Sequence, residues 1–268
     1  MSRIQNKFKE ISEKKEKALI AYIMVGYPNE NATISAVRGL IKGGADIIEL
    51  GFPFSDPLAD GPVIQNASTV SLEKGTKLNS FFNLVKKIRK ETDIPLVMMT
   101  YTNILYHKGY PKFISEAKNS GIDGFILPDM SVEESQDYLA AAKKRNEDTI
   151  FLISPNTSSE RIKKIAKVSS GFLYLVAVYG TTGIKTGMKS YTVKAIKHVK
   201  RLVKDKIPIG VGFGVSTPKD VKKYVSLGAD AVIVGSAYLR LIEKTPSSKL
   251  EQKIASFTKN LKRQTKLL

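Results

Sequence analysis

Eight short apolar segments recur along the chain and alternate with longer amphipathic segments. The apolar segments are residues 19–25, 47–50, 96–99, 124–127, 149–153, 172–176, 207–211 and 231–234. This alternation is typical of parallel strands joined by helices. Eight repeats predict a single closed (β/α)₈ TIM barrel over residues 1–268, because such barrels commonly contain about 250 residues. An open, doubly wound sheet remains the alternative.

Two segments are longer than the repeat requires. Residues 4–17 are amphipathic and predict an extra N-terminal helix that packs across the bottom of the barrel. The connection after the second strand runs from residue 51 to about residue 78 and predicts a short helix over residues 63–74. Because barrels carry their active sites at the C-terminal ends of the strands, we expect the chemistry in this long second βα loop. A further helix is predicted to begin at Ser131, since Glu134 completes a capping box.

Two carboxylates stand in this region. Glu49 interrupts the apolar second strand between Ile48 and Leu50, and Asp60 lies in the following loop of prolines and glycines. An inward carboxylate at a strand end must be hydrogen-bonded, neutralised or reactive. One acid on a strand and one on a loop suit proton transfer to and from a substrate. The structural alternatives are a Glu49 paired with a neighbouring Lys or Thr, and an Asp60 that only forms a turn.

Three glycine-rich turns follow the last three strands. They are the sequences GTTG at residues 180–183, GFG at 212–214 and GSA at 235–237. Glycines at matching strand ends predict a phosphate site, because backbone N–H groups and a helix N-terminus can then surround the anion. Ser236 adds a hydroxyl donor. We expect this phosphate site on the rim of the barrel opposite the two carboxylates.

Aromatic and apolar side chains near several strand ends predict a pocket for a flat aromatic group. They are Tyr22, Tyr101 and Tyr174, with Met99, Ile126 and Ile233 beside them. Packing within the core, with each hydroxyl satisfied, is the alternative role for the three tyrosines.

Composition narrows the function further. The chain has no cysteine and two histidines without metal-ligand spacing, so we expect no metal site, disulfide or cysteine nucleophile. The net charge of +18 is spread over lysine-rich helices without a recognition motif, which favours solvated helix faces over nucleic-acid binding. No apolar run is long enough to cross a membrane and no secretory signal is visible, so we expect a soluble protein of the cytoplasm.

Six motifs follow one another between residues 18 and 239: ELGFPFSDPLADGPVIQ, YTNILY, LPDMSVEES, YGTTG, GFGVS and VGSA. Together they resemble the α subunit of tryptophan synthase. The resemblance implies a (β/α)₈ barrel that cleaves indole-3-glycerol phosphate by a retro-aldol reaction to indole and glyceraldehyde 3-phosphate. It also implies a partner β subunit in an α₂β₂-type complex. Pyridoxal phosphate is expected only in that partner, so no cofactor is expected in this chain.

The resemblance also implies roles for individual residues. Glu49 matches the general acid/base of the family, and Asp60 matches its second catalytic carboxylate. The implied phosphate contacts are Gly183, Phe213, Gly214, Gly235 and Ser236. The matching substrate-pocket positions are Tyr22, Tyr174 and Thr182, and Thr182 is expected to close its loop over Asp60. The residues implied to face the β subunit are Pro53, Asp56, Asn103 and Asp129.

One segment departs from the family pattern. AVYGTTG stands here where many members have an arginine-containing version that ends in GVTG. The hydroxyl before the final glycine is kept as Thr182, while the arginine is not. Two other functions remain open: a non-catalytic activator of a β subunit, and a free-standing lyase with the same chemistry.

Overall fold

The computed structural model describes residues 1–176, 190–212 and 214–266. The strands are β1 (Ala18–Met24), β2 (Ile47–Gly51), β3 (Leu96–Met99), β4 (Gly124–Ile126), β5 (Asp148–Ile150), β6 (Leu152–Ile153), β7 (Leu173–Val176), β8 (Ile209–Gly212) and β9 (Ala231–Val234). The helices are α1 (Arg3–Glu13), α2 (Glu30–Gly43), α3 (Pro62–Glu73), α4 (Leu78–Arg89), α5 (Thr102–Lys108), α6 (Tyr110–Ser120), α7 (Gln136–Arg145), α8 (Ser159–Val168), α9 (Ser190–Val203), α10 (Pro218–Ser226), α11 (Ser236–Lys244) and α12 (Ser247–Lys262), followed by a 3₁₀ helix at Arg263–Thr265. Within these described ranges, no helix is both long and apolar enough to cross a membrane.

The strands form one parallel sheet in the order β5-β4-β3-β2-β1-β9-β8-β7-β6. The two ends of this order, β5 and β6, are separated in the chain only by Phe151, whose carbonyl accepts a hydrogen bond from the Tyr174 N–H at 3.0 Å. They are the two halves of the predicted fifth strand, so the sheet curves round into an eight-stranded barrel. The predicted (β/α)₈ barrel is confirmed, and the open sheet is excluded.

Strand register decides which side chains point into the barrel. Tyr22 of β1 lies opposite Glu49 of β2, and Glu49 lies opposite Val97 of β3. The charges of Glu49 and Asp60 act on both Tyr22 and Tyr174, although these tyrosines belong to separate strands, so all four side chains face the interior. Because side chains alternate along a strand, the residues two positions further on continue the same inner face toward the C-terminal ends.

Helix α1 covers the N-terminal end of the barrel. Three apolar side chains on one of its faces are buried: Ile4, Phe8 and Ile11. The ring of Phe8 packs on that of Phe172, just before β7, with 6.0 Å between the ring centroids. The predicted extra helix across the bottom is therefore confirmed. It ends at Glu13 and not at residue 17, because Lys15 has a φ of 54°, outside the helical region.

Helix α3 occupies much of the long second βα loop, as the sequence predicts. The prediction of a helix beginning at Ser131 was wrong, since α7 begins at Gln136. The capping interaction itself is present, because the Glu134 N–H donates to Ser131 Oγ at 3.3 Å. However, the Ser135 N–H then donates to the carbonyl of Val132 at 3.4 Å, which closes a separate turn before the helix starts.

Candidate active site

Glu49 lies near the C-terminal end of β2 and points into the barrel. The residue is 3% exposed, and its Oε2 has no hydrogen-bond partner among the described residues. Burial, and then the charge of Asp60, raises the pKa of Glu49 from 4.5 to about 8. Its strand neighbours are Tyr22 and Val97, so they supply no lysine or threonine of the kind that the structural alternative requires. A carboxyl group in this state can donate a proton near neutral pH and then take it back.

Asp60 lies in the loop between β2 and α3 and is 4% exposed. Burial raises its pKa from 3.8 to about 6, although a hydrogen bond from Tyr101 lowers it. Tyr101 Oη donates to Asp60 Oδ2 at 3.0 Å and accepts from the Ala59 N–H at 3.1 Å. Tyr101 therefore holds two successive residues of the loop. Turn formation alone does not require a buried carboxylate that accepts a hydrogen bond from a phenol. It therefore does not account for the environment of the Asp60 side chain.

Helix α3 and the ring of Phe54 support the Asp60 loop. The Phe54 ring stacks on Tyr101 with 4.9 Å between centroids and 25° between planes. Ser68 Oγ accepts from the Phe54 N–H and donates to the Phe54 carbonyl, both at 2.8 Å. Gln65 Nε2 donates to the Asp60 carbonyl at 2.9 Å. Sequence reasoning missed these supporting residues, and the available signal is the three-residue spacing that puts Gln65 and Ser68 on one face of α3.

Two tyrosines of the predicted pocket lie across a glycine of the neighbouring strand. A Cβ atom on Gly51 would come closer than 3.0 Å to Tyr22 Oη, and one on Gly212 would come closer than 3.0 Å to Tyr174 Oη. Only glycine therefore fits beside each ring. Burial raises the pKa of both tyrosines well above the usual value of 10.0, and the charges of Glu49 and Asp60 add to this effect. Both side chains consequently remain neutral phenols.

The other predicted pocket residues, apart from Thr182, lie on the inner wall of the barrel. Met99 and Ile126 are opposite each other on β3 and β4, Ile233 lies on β9, and all three are buried. Beside the tyrosine rings they make the apolar surface that a flat aromatic group requires. Thr182 lies outside the described residues.

Gly235 and Ser236 lie where β9 meets α11. Gly235 is the N-cap of α11, and no side chain caps the first turn that Ser236 begins. Free N–H groups at such a helix end attract anions. Gly214 follows β8 with a φ of 74° and is exposed. Gly183 and Phe213 lie outside the residues that the structure describes.

The α11 end of this predicted phosphate site is close to the acids. β1 alone separates β9 from β2 in the strand order. The ring of Tyr22, on β1, spans this distance, because a Cβ atom on Gly235 would lie 3.2 Å from Tyr22 Cδ1. Closure of the barrel places the last strand next to the first, so the Gly235 end of the predicted site lies near the acids and not opposite them, while the phosphate site itself stays a prediction.

The four residues assigned to the partner face differ in exposure. Pro53 is buried, whereas Asp56, Asn103 and Asp129 are exposed. Asp129 also has a structural role, because its carboxylate accepts hydrogen bonds from the N–H and the Oγ1 of Thr102, each at 2.9 Å. It thereby caps the first turn of α5 from a position 27 residues further along the chain.

Residues 8–266 match the family described as tryptophan synthase alpha chain. The tryptophan synthase alpha chain of Methanosarcina acetivorans is 44% identical over 260 residues, which cover 97% of this chain and 93% of that protein. A chain of the Mycobacterium tuberculosis tryptophan synthase structure superposes with a TM-score of 0.90 at 31% identity, covering 100% of this chain and 99% of that one. A chain of the tryptophan synthase α₂β₂ complex from Pyrococcus furiosus gives a TM-score of 0.86 at 36% identity, covering 92% and 98%.

Two buried carboxyl groups lie near the C-terminal mouth of a (β/α)₈ barrel, where barrel enzymes carry their active sites, and groups of this kind can transfer protons. The match of residues 8–266 to a single family then identifies the reaction. The chain belongs to the tryptophan synthase alpha chain family, whose members are carbon–carbon lyases that cleave indole-3-glycerol phosphate.

Proposed function

We propose that Glu49 is the general acid/base, and Asp60 the second catalytic carboxylate, in the cleavage of indole-3-glycerol phosphate to indole and glyceraldehyde 3-phosphate. The observation that carries the proposal is the pair of buried carboxyl groups, whose pKa values are raised to about 8 and about 6. Buried acids with separated pKa values are typical of sites in which one group moves protons and the other holds charge.

The proposed reaction breaks the bond between indole C3 and the glycerol chain. Glu49, protonated near neutral pH, first donates its proton to indole C3. Its carboxylate then takes the proton from the hydroxyl on the carbon attached to the indole, the oxygen of that hydroxyl becomes the aldehyde carbonyl, and the electron pair of the broken bond returns to the indole ring. Asp60 accepts a hydrogen bond from the indole N–H and stabilises the charge that develops there. Each such group is worth about 10²- to 10⁴-fold in rate.

The substrate phosphate is proposed to bind at the first turn of α11 and the turn after β8. The uncapped N-terminus of α11 and the positive φ of Gly214 support this assignment for Gly214, Gly235 and Ser236. Gly183 and Phe213 join the proposed site through the sequence resemblance alone. The apolar wall holds the indole ring between this anion site and the two acids.

The chain is further proposed to act as one domain in the cytoplasm, in an α₂β₂-type complex with a tryptophan synthase β subunit. Two large apolar side chains at the C-terminal end of the barrel support a partner there, because Leu58 is 83% exposed and Tyr106 is 72% exposed. Asp56 and Asn103 lie on the same loop and the same helix as these two residues. We expect pyridoxal phosphate to be bound by the partner and not by this chain.

Indole release from indole-3-glycerol phosphate, measured with and without a β subunit, tests the proposal. Glu49→Gln should lower turnover at least about 100-fold. Glu147→Gln is the matched control, because Glu147 is also buried with a pKa raised to about 8 but lies before β5, at the other end of the barrel, paired with Lys118 at 2.7 Å. The control should keep its activity.

Three results would contradict parts of the proposal. Normal turnover by Glu49→Gln would remove Glu49 from the chemistry. Activation of a β subunit without any indole release by the wild-type chain would identify a non-catalytic activator. Strong turnover by the chain alone, with no complex on size-exclusion chromatography, would identify a free-standing lyase.

A further inference from the structure

The hydroxyl of Tyr22 is buried inside the barrel. Tyr22 is 3% exposed, and its Oη makes no hydrogen bond to any described residue. The buried hydroxyl of Tyr101 differs, because it donates to Asp60 and accepts from the Ala59 N–H. An unpaired hydroxyl in the interior destabilises the fold, so its presence in the site requires an explanation other than packing.

Geometry places this hydroxyl beside the proposed acid/base. Tyr22 and Glu49 are direct neighbours in the pairing of β1 with β2. The Tyr22 ring leans toward the C-terminal opening, because its Oη occupies the space that a side chain on Gly51 would fill. A substrate atom within reach of Glu49 is therefore also close to the Tyr22 hydroxyl.

The nearby charges determine what this hydroxyl can do. The carboxyl groups of Asp60 and Glu49 both act on Tyr22 and, with burial, keep it protonated. A neutral phenol that faces two acids and is bonded to neither is a hydrogen-bond donor held ready for a ligand. The ligand atom that gains most from a donor is one on which negative charge develops during the reaction.

We propose that Tyr22 is a further catalytic residue, whose hydroxyl donates a hydrogen bond to the substrate oxygen that Glu49 deprotonates. This inference rests on the proposed function. As the proton leaves, negative charge builds on that oxygen, and it disappears when the C3–carbon bond breaks and the carbonyl forms. Tyr22 keeps its own proton throughout, so the step needs no further acid, base or oxidant.

The test compares Tyr22→Phe with the wild-type chain in three measurements. We expect kcat for cleavage to fall about 100-fold, as it does when one donor to a developing oxyanion is removed. The Kd for indole-3-propyl phosphate, which lacks both hydroxyls of the substrate, should be unchanged because the ring remains. The urea midpoint of unfolding should rise, because the variant removes a buried hydroxyl that no described residue pairs with.

Tyr238→Phe is the matched control. Tyr238 is also buried, but its Oη donates to Thr258 Oγ1 at 3.0 Å between α11 and α12. This variant should lower the urea midpoint and leave kcat unchanged.

Two outcomes for Tyr22→Phe would overturn the inference while the proposed function stands. One is an unchanged kcat. The other is weaker binding of indole-3-propyl phosphate together with a lower urea midpoint, which would show that Tyr22 only packs. Absence of cleavage by the wild-type chain, alone and with a β subunit, would instead overturn the proposed function and this inference with it.

Discussion

Replacing Glu49 by glutamine should stabilise the folded chain by an amount that grows with pH. The pKa of the folded carboxyl is about 8 against an ordinary 4.5, so above pH 4.5 the unfolded chain loses a proton that the folded chain keeps. The stability that this carboxyl contributes is fully present below its ordinary pKa of 4.5 and is lost as the pH rises through the folded-state pKa of about 8. The full difference corresponds to about 5 kcal/mol, since one pKa unit is worth about 1.4 kcal/mol.

Urea denaturation followed by circular dichroism measures this difference. Relative to wild type, Glu49→Gln should be more stable by less than about 1 kcal/mol near pH 5, by about 3 kcal/mol near pH 7 and by about 5 kcal/mol near pH 9. Glutamine has the same shape and no proton to lose. The exposed Glu73 of α3 supplies the control, because Glu73→Gln should stay within about 0.5 kcal/mol of wild type. A difference for Glu49→Gln that does not change with pH would refute a protonated Glu49 near neutrality.

Two other perturbations follow from the contacts around the site. Tyr101→Phe removes the donor that lowers the pKa of Asp60, so cleavage at neutral pH should fall about 10-fold and recover as the pH is raised; a pH profile of kcat/KM that does not move would contradict this role. Gly212→Ala forces a Cβ atom against Tyr174 and should cost about 1–3 kcal/mol in urea denaturation. In a Tyr174→Ala background, Gly212→Ala should cost less than it does in the wild-type chain, whereas strictly additive effects would show that the two side chains do not meet.

The barrel could be predicted because its strands are buried on both faces, which gives continuous apolar runs, whereas its helices are buried on one face, which gives apolar residues at three- and four-residue spacing. The described strands begin and end within two residues of the apolar segments. The break in the fifth strand at Phe151 has no such signal, because it falls inside the continuous apolar run of residues 150–153. The turn at Ser131 was missed because a capping interaction can close one turn as well as begin a helix.

The site was predictable to the extent that its residues are unusual where they stand. A carboxylate in an apolar strand makes Glu49 a candidate site residue without any knowledge of its neighbours. Asp60 is different, because the phenol that holds it lies 41 residues further along the chain, and locally an Asp before Gly also fits a turn. The cap formed by Asp129 and the proximity of Gly235 to Tyr22 likewise depend on how the barrel closes.

Each of the rings of Tyr22 and Tyr174 shares one small volume with the glycine of the next strand. Substitutions at these four positions are therefore coupled, each tyrosine with its own glycine. A larger residue at Gly51 or Gly212 becomes tolerable only after its tyrosine has become smaller, so the permissive change must come first. Among relatives with different pockets, we expect the two members of each pair to differ together, with their summed volume nearly constant.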